Sequence, residues 1–96
     1  MALAGFAPTA TTLLSAGPTS SNIILPTTGS PVTAVVTNTS QGFVYVLLGG
    51  SNVTVTPATG LALAPGASFP LTIGTNTYLA AITLQGAAGV NITVGT

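Results

Sequence analysis

The 96 residues include no Asp, Glu, Lys, Arg, His or Cys, whereas an ordinary globular domain is about a quarter charged. This inventory removes the side chains that move protons near neutral pH and those that ligate transition metals as thiolate, imidazole or carboxylate. It also removes the Lys and Arg that neutralise phosphate, so neither nucleic acid nor anionic lipid is an expected partner.

In chain order, residues 1–20 are dominated by Ala, Thr, Ser and Leu, with Pro8 and Pro18 as interruptions. They read as an extended N-terminal arm with one short strand around Thr11 to Leu14, or as a disordered terminus. Residues 21–96 read as a single domain. Asn22 to Leu25 forms a first strand, and Pro26 to Pro31 a turn segment. Val32 to Asn38 alternates, with Val32, Ala34 and Val36 on one face and Thr33, Val35 and Thr37 on the other. After a turn at Gln41-Gly42, Phe43 to Leu48 is apolar on both faces, which predicts a central strand buried on both sides. Gly49 to Asn52 is a tight-turn candidate, and Val53 to Thr56 alternates with Val53 and Val55 inward.

Pro57 to Gly60 is a loop. Leu61 and Leu63 make a short apolar stretch that ends at Pro65-Gly66. Phe69, Leu71 and Ile73 alternate with Pro70 and Thr72. Pro70 has no backbone donor, which predicts an edge strand. Gly74 to Asn76 turns the chain into Thr77 to Gln85, where Tyr78, Ala80, Ile82 and Leu84 share a face. Gly86 to Gly89 turns again, and Val90, Ile92 and Val94 line one face of the last strand. The expected fold is all-β: a small antiparallel β-sandwich of about 6–8 short strands with an extended N-terminal arm, its core made of Val, Ile, Leu, Phe and Tyr. A cross-β assembly is the rival, since neutral β-prone segments such as Phe43–Leu48 and Thr77–Leu84 also suit fibrils. The dense punctuation, 12 Gly and 7 Pro, argues for the discrete sandwich.

The sequence Val36-Thr37-Asn38-Thr39-Ser40 is followed by Phe43-Val44-Tyr45-Val46 and a glycine pair. Then come the Ala64-Pro65-Gly66 loop, Thr77-Tyr78-Leu79-Ala80-Ala81-Ile82, and Val90-Asn91-Ile92-Thr93-Val94-Gly95. From Val32 to Gly95 this order resembles the small β-sandwich virion proteins of tailed bacteriophages, of the capsid decoration or cement type. The resemblance implies attachment to a major capsid protein or another virion protein, often as an oligomer on a local symmetry axis, with a trimer favoured. It also implies a virion location after assembly in a host cytoplasm. Such chains carry scattered charges and this one has none, so ion-pair docking is not expected.

Interface candidates are Leu3, Phe6, Leu13 and Leu14, as anchors of a bracing arm, together with Tyr45 and Tyr78. The two tyrosines lie within strands beside apolar neighbours, which favours core or interface packing over a sugar-binding platform. Phenols hold their proton at neutral pH, and Ser or Thr hydroxyls become nucleophiles only beside a base. No catalysis, no metal and no cofactor are therefore expected. Sequons at Asn38, Asn52 and Asn91 read as coincidence, since Met1 to Phe6 lacks the basic start of a signal peptide. No apolar run reaches the ~18 residues of a membrane helix. The alternatives to a virion protein are a self-assembling fibre or surface-layer subunit, a small adhesive or glycan-binding β module, and a designed charge-free protein.

With no carboxyl, imidazole, thiol or amine on any side chain, folding exchanges no side-chain protons in acid or neutral solution. The thermal midpoint should therefore stay within about 3 °C from about pH 2 to 9. Circular dichroism melts across that range test this, and a steep loss of stability in acid would contradict it.

Overall fold

The computed structural model describes residues 7–84 and 86–96. Its eight strands are β1 (Pro8–Ala16), β2 (Ser21–Ile24), β3 (Thr33–Asn38), β4 (Val44–Gly49), β5 (Leu61–Leu63), β6 (Ser68–Thr72), β7 (Tyr78–Thr83) and β8 (Ala88–Gly95). They form two antiparallel four-stranded sheets, ordered β1-β8-β3-β6 and β2-β7-β4-β5. The sheets pack face to face as a β-sandwich. Only β4 and β5 are both consecutive in the chain and paired; every other connection passes from one sheet to the other.

Strand alternation places the core. From the first sheet come Leu14 and Ala16, Ala34 and Val36, and Ala88, Val90, Ile92 and Val94; from the second come Val44, Val46, Leu63, Leu79 and Ala81. Each buried Val, Leu or Ile contributes about 1.5–3 kcal/mol relative to exposure. The inward positions are filled by aliphatic side chains, many of them as small as Ala and Val. The aromatics expected in this core lie elsewhere: Phe43 and Phe69 are largely exposed, and Tyr45 and Tyr78 are half-buried. Parity explains the tyrosines, because Tyr45 sits between inward Val44 and Val46, and Tyr78 precedes inward Leu79.

Three further expectations change. The short strand expected around Thr11 to Leu14 of the arm is longer: residues 8–16 form the longest strand, in register with β8 from Ala10↔Val94 to Ala16↔Ala88. Pro8 opens β1 and Pro18 follows its end, so the two prolines bracket the strand and leave its interior ladder intact. β4 is central, but it is buried on one face only: Val44 and Val46 are covered while Tyr45, Leu47 and Leu48 remain partly accessible. Val53 to Thr56 is a loop, although Val55 does point inward and is buried. Pro70 does sit on an edge strand, β6, opposite Val35.

Asn38 continues the inward row of Ala34 and Val36 and is completely buried. Its Nδ2 donates to the carbonyls of Gly42 at 2.7 Å and Leu63 at 2.9 Å. Its Oδ1 accepts from the Ser40 amide at 3.0 Å and the Ser40 hydroxyl at 2.7 Å. Its backbone exchanges bonds with the Ala64–Ala67 turn, donating to Ala67 O and accepting from Gly66 N. That turn has Pro65 in second place and Gly66 at φ +78° in third, with Ala67 N donating to Ala64 O, the geometry of a type II turn. One neutral side chain thus ties the β3–β4 turn to β5 of the opposite sheet.

Asn38→Asp cannot donate to the two carbonyls, and burial would raise its folded pKa above the ordinary ~3.9. The protonated acid is then the tolerated form. The deficit relative to wild type should be smallest below about pH 4 and grow as pH rises through that value, reaching at least about 3 kcal/mol at neutral pH. Urea denaturation at several pH values reads this directly. A variant as stable as wild type at pH 7 would show that the four bonds contribute nothing.

Candidate interaction face on the second sheet

The outward positions of the second sheet form three rows. Tyr45 lies opposite Ile82, Leu47 opposite Ala80, which is opposite Asn22, and Gly49 opposite Tyr78, which is opposite Ile24. Apart from Asn22 and Gly49 this surface is apolar. In a half-solvated antiparallel sheet the outward face is ordinarily polar.

Part of it is roofed by the segment joining β4 to β5. Asn22 Nδ2 donates to the carbonyls of Ser51 and Val53 at 3.2 and 3.3 Å, and Val55 N donates to Ser20 Oγ at 3.0 Å. The loop therefore leaves the end of β4, reaches β2 on the far side of the sheet, and returns to β5. Val55 and Ala80 are fully buried, yet neither belongs to the cluster between the sheets. They form a small second core beneath the loop, a common arrangement under long connections. Gly60 closes the return: a β-carbon there would lie 2.5 Å from Val55 Cγ2 and 3.0 Å from Tyr45 Cβ.

Beyond the roof the face is open. Phe43 is 52% exposed and Leu84 61% exposed, and with Gly42, Tyr45 and Thr83 they line a shallow groove of about 330 Å³. Thr83 Oγ1 donates to Phe43 O at 2.9 Å, which fixes the backbone on which the Phe43 ring is mounted. Among the described residues, the side chains lining the groove offer one phenol, one already engaged hydroxyl and hydrocarbon. Its chemistry is that of contact and desolvation.

Of the sequence-derived interface residues, Tyr45 borders this groove and Tyr78 lies on the same face beyond the roof. Leu14 belongs to the core, and Leu13, next to it, is exposed on the opposite sheet. Leu3 and Phe6 lie outside the described residues. The structure adds Phe43 and Leu84. Both share parity with outward tyrosines, Phe43 with Tyr45 and Leu84 with Tyr78, so alternation carried the signal once the inward face of each strand was fixed. Of the sequons, Asn38 is buried and fully bonded, while Asn52 is exposed in the roof loop. Among the described residues, no helix is long and apolar enough to cross a membrane. In comparisons with known proteins, the chain matches no family, no curated protein and no solved structure.

Gly60→Ala tests the roof. The added methyl must displace Val55 or the backbone beside Tyr45, at a cost of about 1–3 kcal/mol. Urea denaturation should show that loss together with increased binding of a hydrophobic dye as the loop lifts. Wild-type stability and dye binding would mean that the loop tolerates the contact.

Proposed function

We propose that the chain is a non-catalytic structural subunit that attaches to a larger protein assembly through the Phe43–Leu84 face, the assembly being a phage shell that it decorates or cements. The observation that carries this reading is the apolar groove on an outward sheet face, in a chain with no charged side chain to recruit a partner electrostatically. Exposed apolar patches rimmed by polar groups mark protein contacts. The sandwich fold and the resemblance between Val32 and Gly95 support the phage assignment. A surface without ion pairs suits a permanent lattice, because its contacts are indifferent to ionic strength and pH. Loss of charge repulsion, a hazard for a free monomer, favours a chain that is always assembled.

A Phe43→Ser, Leu84→Ser double variant removes the two most exposed groups of the groove. Both are already about half in water, so the fold should keep its thermal midpoint within about 3 °C. Attachment should weaken by roughly 30-fold, equivalent to about 2 kcal/mol of lost burial. The measurement is co-sedimentation with virus particles from the source that encodes the chain, in density gradients at low salt and at about 1 M NaCl. Wild type should band with the particles at both salt levels, and the variant should remain at the top. Wild type absent from the particle band, or a variant that still bands with it, would overturn the proposal.

A further inference from the structure

β1 is an edge strand of the first sheet and has no strand partner on its outer side among the described residues. Ala7 and Thr96 exchange both backbone hydrogen bonds, at 2.8 and 3.0 Å, while Gly95 O and Gly89 O accept from Val32 and Thr39 on the other side of β8. Along β8, even-numbered residues therefore aim their backbone groups at β1 and odd-numbered ones aim away from it. The register pairs Ala10, Thr12, Leu14 and Ala16 with Val94, Ile92, Val90 and Ala88. Thr11, Leu13 and Ser15 accordingly point N–H and C=O away from the sheet. None of these groups has a backbone partner among the described residues.

The other edges are blunted. β6 carries Pro70, β5 has three residues, and β2 has four and runs into Leu25-Pro26. Proteins ordinarily guard a long edge with charge, proline or a bulge. β1 has nine residues, a bulge and a proline only at its start, and no charge. Leu13 is 70% exposed on a face where its cross-strand neighbours are Asn91 and then Thr37 and Ser68. It is a large apolar side chain among amides and hydroxyls.

We infer that the β1 edge pairs antiparallel with β1 of a second copy of this chain, about a two-fold axis through Leu13. That operation sets Leu13 opposite its symmetry mate and Thr11 opposite Ser15, so the outward N–H and C=O of all three residues are satisfied in both copies. Directly opposed residues of an antiparallel pair share a face, so the two Leu13 side chains cover one another. The two first sheets become one continuous sheet. A second copy is the occupant because the edge is complementary to itself in register, in hydrogen bonding and in its one apolar group, and no charge opposes the approach. The symmetry is two-fold, unlike the three-fold expected from the resemblance, and the contact is independent of whatever covers the Phe43 face.

The test is sedimentation of the full chain, with amide hydrogen exchange read residue by residue. Wild type should sediment at twice 9.2 kDa, with the Thr11, Leu13 and Ser15 amides protected at least about 100-fold beyond those of exposed loops. Leu13→Lys sets two charges against each other across the axis. Leu13→Pro removes an outward donor, as Pro70 does on β6. Each variant should sediment as a single chain with an unchanged far-ultraviolet spectrum, and in Leu13→Lys the Thr11 and Ser15 amides should lose their protection. The Phe43→Ser, Leu84→Ser variant should stay paired. If Leu13→Pro does not fold, Leu13→Lys decides alone. A wild-type single chain at millimolar concentration, a pair that survives Leu13→Lys, unprotected Thr11 and Ser15 amides, or a pair lost with the Phe43 face would each overturn the inference.

Discussion

Two sheets can be held face to face in this chain only by apolar burial and neutral hydrogen bonds, because no side chain can enter an ion pair. The cost of burying a polar group is then met locally or not at all. Among the described residues no buried side-chain nitrogen or oxygen lacks a partner. Asn38 shows how: an amide has two donors and an acceptor oxygen with two lone pairs, and here all four capacities are used. A charged residue could bridge two sheets only with a counter-charge and its desolvation. The amide needs carbonyls and an N–H, which every turn supplies. Thr83 does the same on a smaller scale from the second sheet, donating to Phe43 O. Polar residues inside this molecule fasten turns and leave the apolar contacts to hold the layers.

Much of the second half of the chain was legible from alternation. Val90, Ile92 and Val94 face inward as their spacing indicates, and Pro70 marks an edge strand because proline cannot donate into a ladder. Pairing was not legible. β1 lies beside β8 and β3 beside both β8 and β6, so most neighbours are remote in sequence, and the strands' own patterns do not encode their partners. The strand expected around Thr11 to Leu14 lies within β1, but its full length was not legible for a related reason: the flanking prolines read as breaks in any context, and the rest of a Thr- and Ala-rich segment reads as strand only beside β8, with which it pairs. Asn38 was partly visible, since it occupies the next inward position after Ala34 and Val36, where a polar residue needs a structural reason. The apolar groove was the least visible feature, because alternation distinguishes two faces without saying which is solvated.

The outer face of the second sheet explains why Val53 to Val55 mimics a strand. Valines at alternate positions are what a buried strand requires, and they are equally what a loop requires when it lies on an apolar sheet and must turn side chains down onto it. Asn22 and Ser20 supply the partners that a neighbouring strand would otherwise provide. The loop therefore converts part of an unusually apolar outward face into a second core, and it leaves Phe43 and Leu84 exposed. A face covered over one part and open over the rest has its open part defined by the covering element.

The groove and the β1 edge lie on different sheets and present different chemistry, one hydrocarbon, the other backbone hydrogen bonds in a fixed register. Apolar contact tolerates rotation and small translation, whereas a strand ladder fixes both, since a slip of one residue would set the outward groups of Leu13 against Thr12 or Leu14, whose N–H and C=O are turned to β8. An uncharged protein lacks the long-range steering and the like-charge rejection that commonly set orientation and partner choice. In their place a ladder can supply specificity through register, and a groove can supply area. The two together would let a small sandwich without a single ion pair associate in a defined geometry, and a neutral surface makes that geometry insensitive to the salt and pH around it.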